Sequence, residues 1–121
     1  MVPITNDLKQ ILVDAHNAKR NFIAGGGDPR HSAACRMATM EWDDELAAIA
    51  ALNVKQCRMN HDRCLNTDAF KYAGQNLAWM GFFGNLDPAE KLNEAVEMWY
   101  SEVKDSQQAY IDSYPNGYSG P

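Results

Sequence analysis

The chain has 121 residues, which is enough for one domain with one hydrophobic core and too few for two. Apolar residues make up 45% of it and charged residues 22%, a globular composition that argues against a disordered chain. The net charge is −5 and residues of both signs are interspersed, so we expect no binding to nucleic acid. No apolar run approaches the roughly 20 residues of a transmembrane helix. The first seven residues lack the basic start and apolar run of a signal peptide, so the protein is either cytosolic or secreted with its leader removed.

The first predicted helix spans about residues 7–24, where apolar side chains recur at spacings of three and four. Thr5 or Asn6 is its predicted N-cap, and the three glycines at 25–27 stop it. A loop rich in glycine and proline follows as far as Met40. Because the helix carries one apolar stripe, we expect that face to be buried.

Two more helices are predicted downstream. The second opens at residues 42–43 with Asp43 as N-cap and ends between Cys57 and Asn60. Residues 61–84 read as irregular, with one short strand-like stretch at 76–79. The third helix begins at Asp87-Pro88, a cap followed by a proline at the first helical position, and its apolar residues repeat as far as Val103. After Ser106 the chain turns polar, and residues 114–121 are predicted to form a loop.

The three cysteines are Cys35, Cys57 and Cys64, and their odd number leaves at least one thiol without an internal partner. On a continuous helix Cys57, His61 and Cys64 would share one face and could bind zinc, with Cys35 or Asp62 completing a tetrahedron. Alternatively, the cysteines form disulfides in an oxidising compartment and His61 has another role. The spacing alone leaves both interpretations open.

Two polar positions border the predicted apolar surfaces. Glu102 lies about 60° from Trp99 on the helical wheel, at the rim of the apolar stripe, so it either points into a cleft or is solvated and paired with a lysine. Gln75 follows a glycine at the start of the strand-like stretch. An amide can orient a water or a ligand but cannot act as a general base, and a structural hydrogen bond is its default role.

His16, Asn17 and Arg20 form a polar row near the border of the first helix's apolar face, and a buried histidine that ties this helix to the loop is the favoured interpretation. His31 lies in the loop without a recognisable motif. None of the serines at positions 32, 101, 106, 113 and 119 stands in a recognisable context with a histidine, so nucleophilic catalysis has little support.

Four short motifs together resemble the CAP superfamily of cysteine-rich secretory proteins, antigen 5 and pathogenesis-related proteins. They are H-N-x-x-R at 16–20, W-D-x-x-L at 42–46, G-[EQ]-N-[LIV] at 74–77 and W-x-x-E at 99–102. The stretch 57–64, followed by Asn66-Thr67, resembles the insect antigen 5 branch in particular. Each motif is weak alone, but four in the right order, within a resemblance that covers about residues 8–121, are a strong signal.

The resemblance implies an α+β fold, a three-layer α-β-α sandwich around a central antiparallel sheet. Residues 1–121 are then expected to be a single partial domain, mainly the three helices with little of the sheet and without the C-terminal strands. The family's cleft holds two histidines and two acidic residues and can bind a divalent metal such as zinc. By position its residues here are His61, Glu102 and, at the second acidic position, Gln75. The second histidine belongs to an H-[FY]-T-x-x-V-W strand expected beyond Pro121, so these residues supply too few ligands for a tight metal site.

The resemblance also bears on the thiols. In antigen 5 proteins the cysteines that match Cys57 and Cys64 bridge to cysteines near the mature N-terminus, which would precede Met1 here. Cys35 matches no family bridge. This pairing makes zinc binding by the cysteines a poor expectation.

The function that the resemblance implies is that of a secreted, monomeric, non-enzymatic binding protein of insect saliva, venom or haemolymph. Its partner would be a host protein or a small hydrophobic ligand such as a sterol, fatty acid or eicosanoid. Periodicity places the groove between the first and third helices, with the ligand's tail on Leu12, Val96 and Trp99. Two alternatives remain: a metal-dependent hydrolase or redox enzyme that uses the His61/Glu102 cleft, or a fragment with little function of its own.

Overall fold

The structure, a computed structural model, describes residues 1–114 and residue 117. Its α-helices are α1 (Asn6–Ala24), α2 (Asp44–Lys55), α3 (Pro88–Ser101) and the short α4 (Gln108–Asp112). A 3-10 turn, Glu102–Asp105, continues α3 directly. None of the helices among the described residues is both long enough and apolar enough to cross a membrane.

The helix starts follow from side chains that accept hydrogen bonds from otherwise unpaired backbone N–H groups. The Thr5 hydroxyl accepts from the N–H of Leu8 at 3.3 Å, which makes it the N-cap of α1. Asp43 accepts from the N–H of Leu46 at 2.8 Å in α2. Asp87 accepts from the first turn of α3, and Pro88 occupies the first helical position. The predicted caps of all three long helices are confirmed.

The centre of the structure is the contact between α1 and α3. Ala95 and Val96 of α3 are 5% and 3% exposed, and they are the only buried apolar residues of the described chain. The rings of His16 and Trp99 lie 6.0 Å apart across the same interface. By contrast, Leu52 on α2 is 62% exposed. The core of the described chain is therefore thin and lies between two helices.

The strand-like stretch at 76–79 is irregular, and no strand occurs among the described residues. A lone strand leaves its backbone groups without partners, and here a side chain supplies one: Trp99 Nε1 donates to the carbonyl of Leu77 at 2.9 Å. The second helix ends at Lys55, before the predicted end, and α4 was not predicted at all. In the predicted C-terminal loop, residues 115–116 and 118–121 lie outside the described residues.

Candidate functional site

A cavity of about 780 Å³ opens beside the C-terminal end of α3, between that helix and the irregular segment 59–77. Apolar side chains from five parts of the chain line it: Ile23, Met59, Leu77, Trp99 and Ile111. Its polar lining includes His61, Gln75 and Glu102. A cavity of this volume, with mainly apolar walls and a few polar groups, is typical of sites for small organic ligands.

Gln75 holds the histidine at this cavity in one orientation. Its side-chain carbonyl accepts hydrogen bonds from His61 Nδ1 at 3.1 Å and from the backbone N–H of Asp62 at 3.0 Å. Its amide nitrogen donates to Asp62 Oδ2 at 2.8 Å. Because a carbonyl only accepts, Nδ1 of His61 must carry a proton, which leaves Nε2 as the basic nitrogen of the neutral ring.

The carboxylate behind this pair is ionised and well supported. Hydrogen bonds from the amides of Asn53 and Gln75 lower the pKa of Asp62 below its ordinary value. Asn53 is 6% exposed, and its amide also donates to the carbonyl of Asn60 at 3.0 Å. The end of α2 therefore anchors the segment that presents His61.

Glu102 also lines this cavity, as the first residue of the 3-10 turn, and it is an exposed residue. The structure thus brings His61, Gln75 and Glu102 to one cavity. They do not form a metal centre among themselves, because no group of three or more His, Cys, Asp or Glu side chains in the described part of the chain could hold an ion. One imidazole, one carboxylate and one amide do not fit the three or four ligands that zinc requires.

The zinc alternative based on the cysteines is not supported by the backbone. The helix that would have aligned Cys57, His61 and Cys64 on one face ends at Lys55, and Cys57 adopts a left-handed conformation with φ of 51°. All three thiols are free and exposed in the structure. The disulfides that the resemblance implies for Cys57 and Cys64 stay a prediction.

The polar row on α1 connects the helix to its surroundings. Asn17 donates to the carbonyl of Met40 at 3.0 Å and accepts from its N–H at 2.8 Å, while Arg20 donates twice to the carbonyl of Ala38. His16 behaves differently: its Nδ1 donates to the carbonyl of Leu12 in its own helix at 2.7 Å. Asn17 and Arg20 therefore hold the loop, and His16 packs towards α3.

The predicted groove between α1 and α3 stays a prediction, and its residues differ in whether they line this cavity. Val96 is only 3% exposed and Leu12 is half-buried, and neither lines the cavity. Only Trp99 of the three predicted groove residues does so. Residues of both apolar stripes lie where α1 and α3 contact each other, which accounts for the burial of Val96.

The same cavity is lined by two residues that the sequence patterns did not single out, His31 and Ser106. They lie 75 positions apart in the chain, and the only local signal is a carboxylate, Asp28, three residues before the histidine. A loop histidine with no periodicity around it gives no indication of burial, which is why it was missed.

Comparison with protein families matches residues 13–116 to the cysteine-rich secretory protein family, CAP. The chain is 42% identical to "Venom allergen-1" of Aedes albopictus over 99% of its own length and 47% of that protein's. It is 43% identical to "Antigen 5 like allergen Cul n 1" of Culicoides nubeculosus over 94% of its length and 52% of the relative's. The chain therefore spans about half the length of the curated relatives it matches. No solved structure gives a significant match. The family match covers most of the chain, and the protein belongs to the CAP family, with venom allergen and antigen 5 proteins among its homologues.

Proposed function

We propose that the protein acts outside the cell, in venom, saliva or defence, as a monomeric antigen 5-like binding protein for a small hydrophobic ligand. The observation that supports the ligand site best is the cavity of about 780 Å³ beside the end of α3. The names of the relatives, "Venom allergen-1" and "Antigen 5 like allergen", support the extracellular setting.

The walls suit an amphiphile with one polar end, such as a sterol, fatty acid or eicosanoid. Its apolar part would lie on Met59, Leu77 and Trp99, and its hydroxyl or carboxylate would lie near His61. Covering about 50 Å² of apolar surface stabilises a complex by about 1.3 kcal/mol, which is roughly tenfold in Kd.

Tryptophan fluorescence tests this site directly, because Trp99 is the one tryptophan among the described cavity residues. A Trp42→Phe/Trp79→Phe variant leaves Trp99 as the only tryptophan. Titration with cholesterol, palmitic acid or arachidonic acid should then change its emission in a saturable way. An unchanged emission with all three lipids would refute the proposed ligand class.

A matched pair of variants locates the binding. Met59, in the cavity wall, and Leu52, on α2 away from it, are 54% and 62% exposed, so the same change to glutamate should be tolerated at both. Met59→Glu is expected to weaken binding of the preferred lipid about tenfold because a charge replaces one apolar contact. Leu52→Glu should bind like the parent chain. Equal effects of the two variants would place the ligand elsewhere.

A further inference from the structure

The loop between α1 and α2 carries a buried carboxylate and a buried histidine that lie three residues apart and contact each other. Asp28 is 5% exposed and His31 is 8% exposed, and their side chains approach to 3.4 Å between Oδ1 and Nδ1. On its other side the imidazole meets a hydroxyl from a distant part of the chain, with 3.2 Å between Nε2 and Ser106 Oγ. The three side chains form a continuous Asp–His–Ser line.

Further contacts hold the carboxylate and the loop that carries it. The backbone and side chain of Arg30 donate to Asp28 Oδ1 at 2.8 and 3.0 Å, and the guanidinium also donates to Oδ2 at 2.6 Å. These bonds hold the pKa of Asp28 well below its ordinary value, so the carboxylate is ionised at neutral pH. Ser32 donates from its backbone to the side chain of Gln108 at 2.9 Å, which fastens the loop against α4 beside Ser106.

The geometry assigns a role to each nitrogen of the histidine. A carboxylate can only accept, so Nδ1 carries the proton and the lone pair on Nε2 points towards the serine hydroxyl. This is the arrangement in which an imidazole acts as a general base on a nucleophile while a carboxylate orients it. His31 and Ser106 both line the cavity, so the pair borders the space in which a ligand would lie.

We propose that Ser106, His31 and Asp28 form an acyl-transfer site that hydrolyses small carboxylic esters with an apolar acyl chain. Ser106 Oγ attacks the carbonyl carbon as its proton moves to His31 Nε2, and the alcohol leaves with that proton. Water then adds to the acyl-serine by the same route, which releases the acid and restores the hydroxyl. The apolar lining, with Ile23 and Ile111 near the loop and α4, sets the preference for the acyl chain.

A hydrogen-bond donor for the carbonyl oxygen is available in the same wall. The hydroxyl of Tyr100 is buried and has no hydrogen-bond partner in the described part of the chain, although a buried hydroxyl normally has one. Tyr100 lines the cavity together with His31 and Ser106. A phenol that lacks a partner in the resting protein is suited to donate to the oxyanion that forms during acyl transfer.

The experiment uses the 121-residue chain with a fluorescent fluorophosphonate and with p-nitrophenyl butyrate. The parent chain should be labelled at Ser106, identified by peptide mass, and should hydrolyse the ester. Ser106→Ala should lower both the rate of fluorophosphonate labelling and the rate of ester hydrolysis at least about 100-fold. Its near-ultraviolet circular dichroism spectrum should be unchanged. Ser101→Ala, which removes an exposed serine on α3, should react like the parent. Labelling of the parent chain no faster than that of Ser106→Ala, or an adduct on another residue, would overturn the proposal.

Two further variants separate catalysis from structure. His31→Gln should lower the labelling and hydrolysis rates as much as Ser106→Ala does. If His31→Gln does not fold, the result for Ser106→Ala alone tests the proposal. Asp28→Asn should lower kcat with KM unchanged if Asp28 is a positioning residue. Because the carboxylate also stabilises the fold, a lower melting temperature is expected in either case, and an unchanged kcat would leave Asp28 a merely structural role. The inference shares the cavity with the proposed lipid site, but its failure is distinguishable: Ser106→Ala should still bind the lipid, and Met59→Glu should still be labelled by the fluorophosphonate.

Discussion

The contact between α1 and α3 predicts a large difference between two substitutions that are chemically the same. Val96 in α3 is 3% exposed and Val54 in α2 is 62% exposed. Truncation to alanine removes two methyl groups from each side chain. At Val96 this loses about 1.6 kcal/mol of transfer free energy, and a cavity that does not collapse raises the cost further. At Val54 almost no burial is lost.

Helix propensity cancels in this comparison, because both residues lie inside helices and alanine gains about 0.5 kcal/mol over valine at each. We therefore expect Val96→Ala to lower the free energy of unfolding by about 1.5 kcal/mol relative to Val54→Ala. At roughly 4 °C per kcal/mol for a chain of this size, the melting temperatures should differ by about 6 °C. The assay is thermal unfolding followed by circular dichroism at 222 nm.

The same pair also tests where the ligand binds. If Val96 lined a groove, as its periodicity suggested, alanine would weaken lipid binding more than it weakens the fold. The structure predicts the reverse: lower stability with unchanged lipid affinity, because Val96 is buried and does not line the cavity. A difference in melting temperature below about 2 °C would refute the claim that the α1–α3 contact stabilises the chain.

Three further predictions follow from local contacts. Because Arg30 lowers the pKa of Asp28, the stabilisation from this carboxylate should be complete above pH 4 and lost as the pH falls towards the lower folded pKa. Asp28→Asn should therefore flatten this part of the acid-unfolding curve. An unchanged curve would contradict the lowered pKa of Asp28. Asn17→Ala should cost about 1–2 kcal/mol in chemical denaturation because it breaks two hydrogen bonds to Met40, whereas a cost near zero would show that the loop is held by other contacts. Iodoacetamide should modify all three cysteines of the native reduced chain without denaturant, and a thiol that reacts only after unfolding would contradict its exposure in the structure.

The sequence predicted the helices well because their signals are local. Asp43 and Asp87-Pro88 mark helix starts by chemistry that acts within one turn, and the structure has both. The helix α4 was missed because five residues are too few to show a period. The stretch 76–79 looked like a strand, but pairing depends on a neighbour that the local pattern cannot reveal, and its hydrogen bond goes to the indole of Trp99 instead.

The candidate site was predictable only where a motif carried it. The resemblance pointed to His61 and Glu102, which lie on one cavity although 41 positions separate them in the chain. Periodicity, by contrast, placed a groove on the apolar stripes of α1 and α3, and of its three residues Trp99 lines this cavity. His31 had no local pattern at all, since its burial comes from Ser106 and from the shape of a loop.

The two histidines at this cavity differ in what orients them, and that difference separates binding from catalysis. The neutral amide of Gln75 fixes His61. The ionised carboxylate of Asp28 fixes His31 and would stabilise the positive charge that a base acquires when it takes a proton. Only His31 also has a hydroxyl on its opposite nitrogen. His61 is therefore suited to hold the polar end of a ligand, and His31 is suited to activate a nucleophile against it.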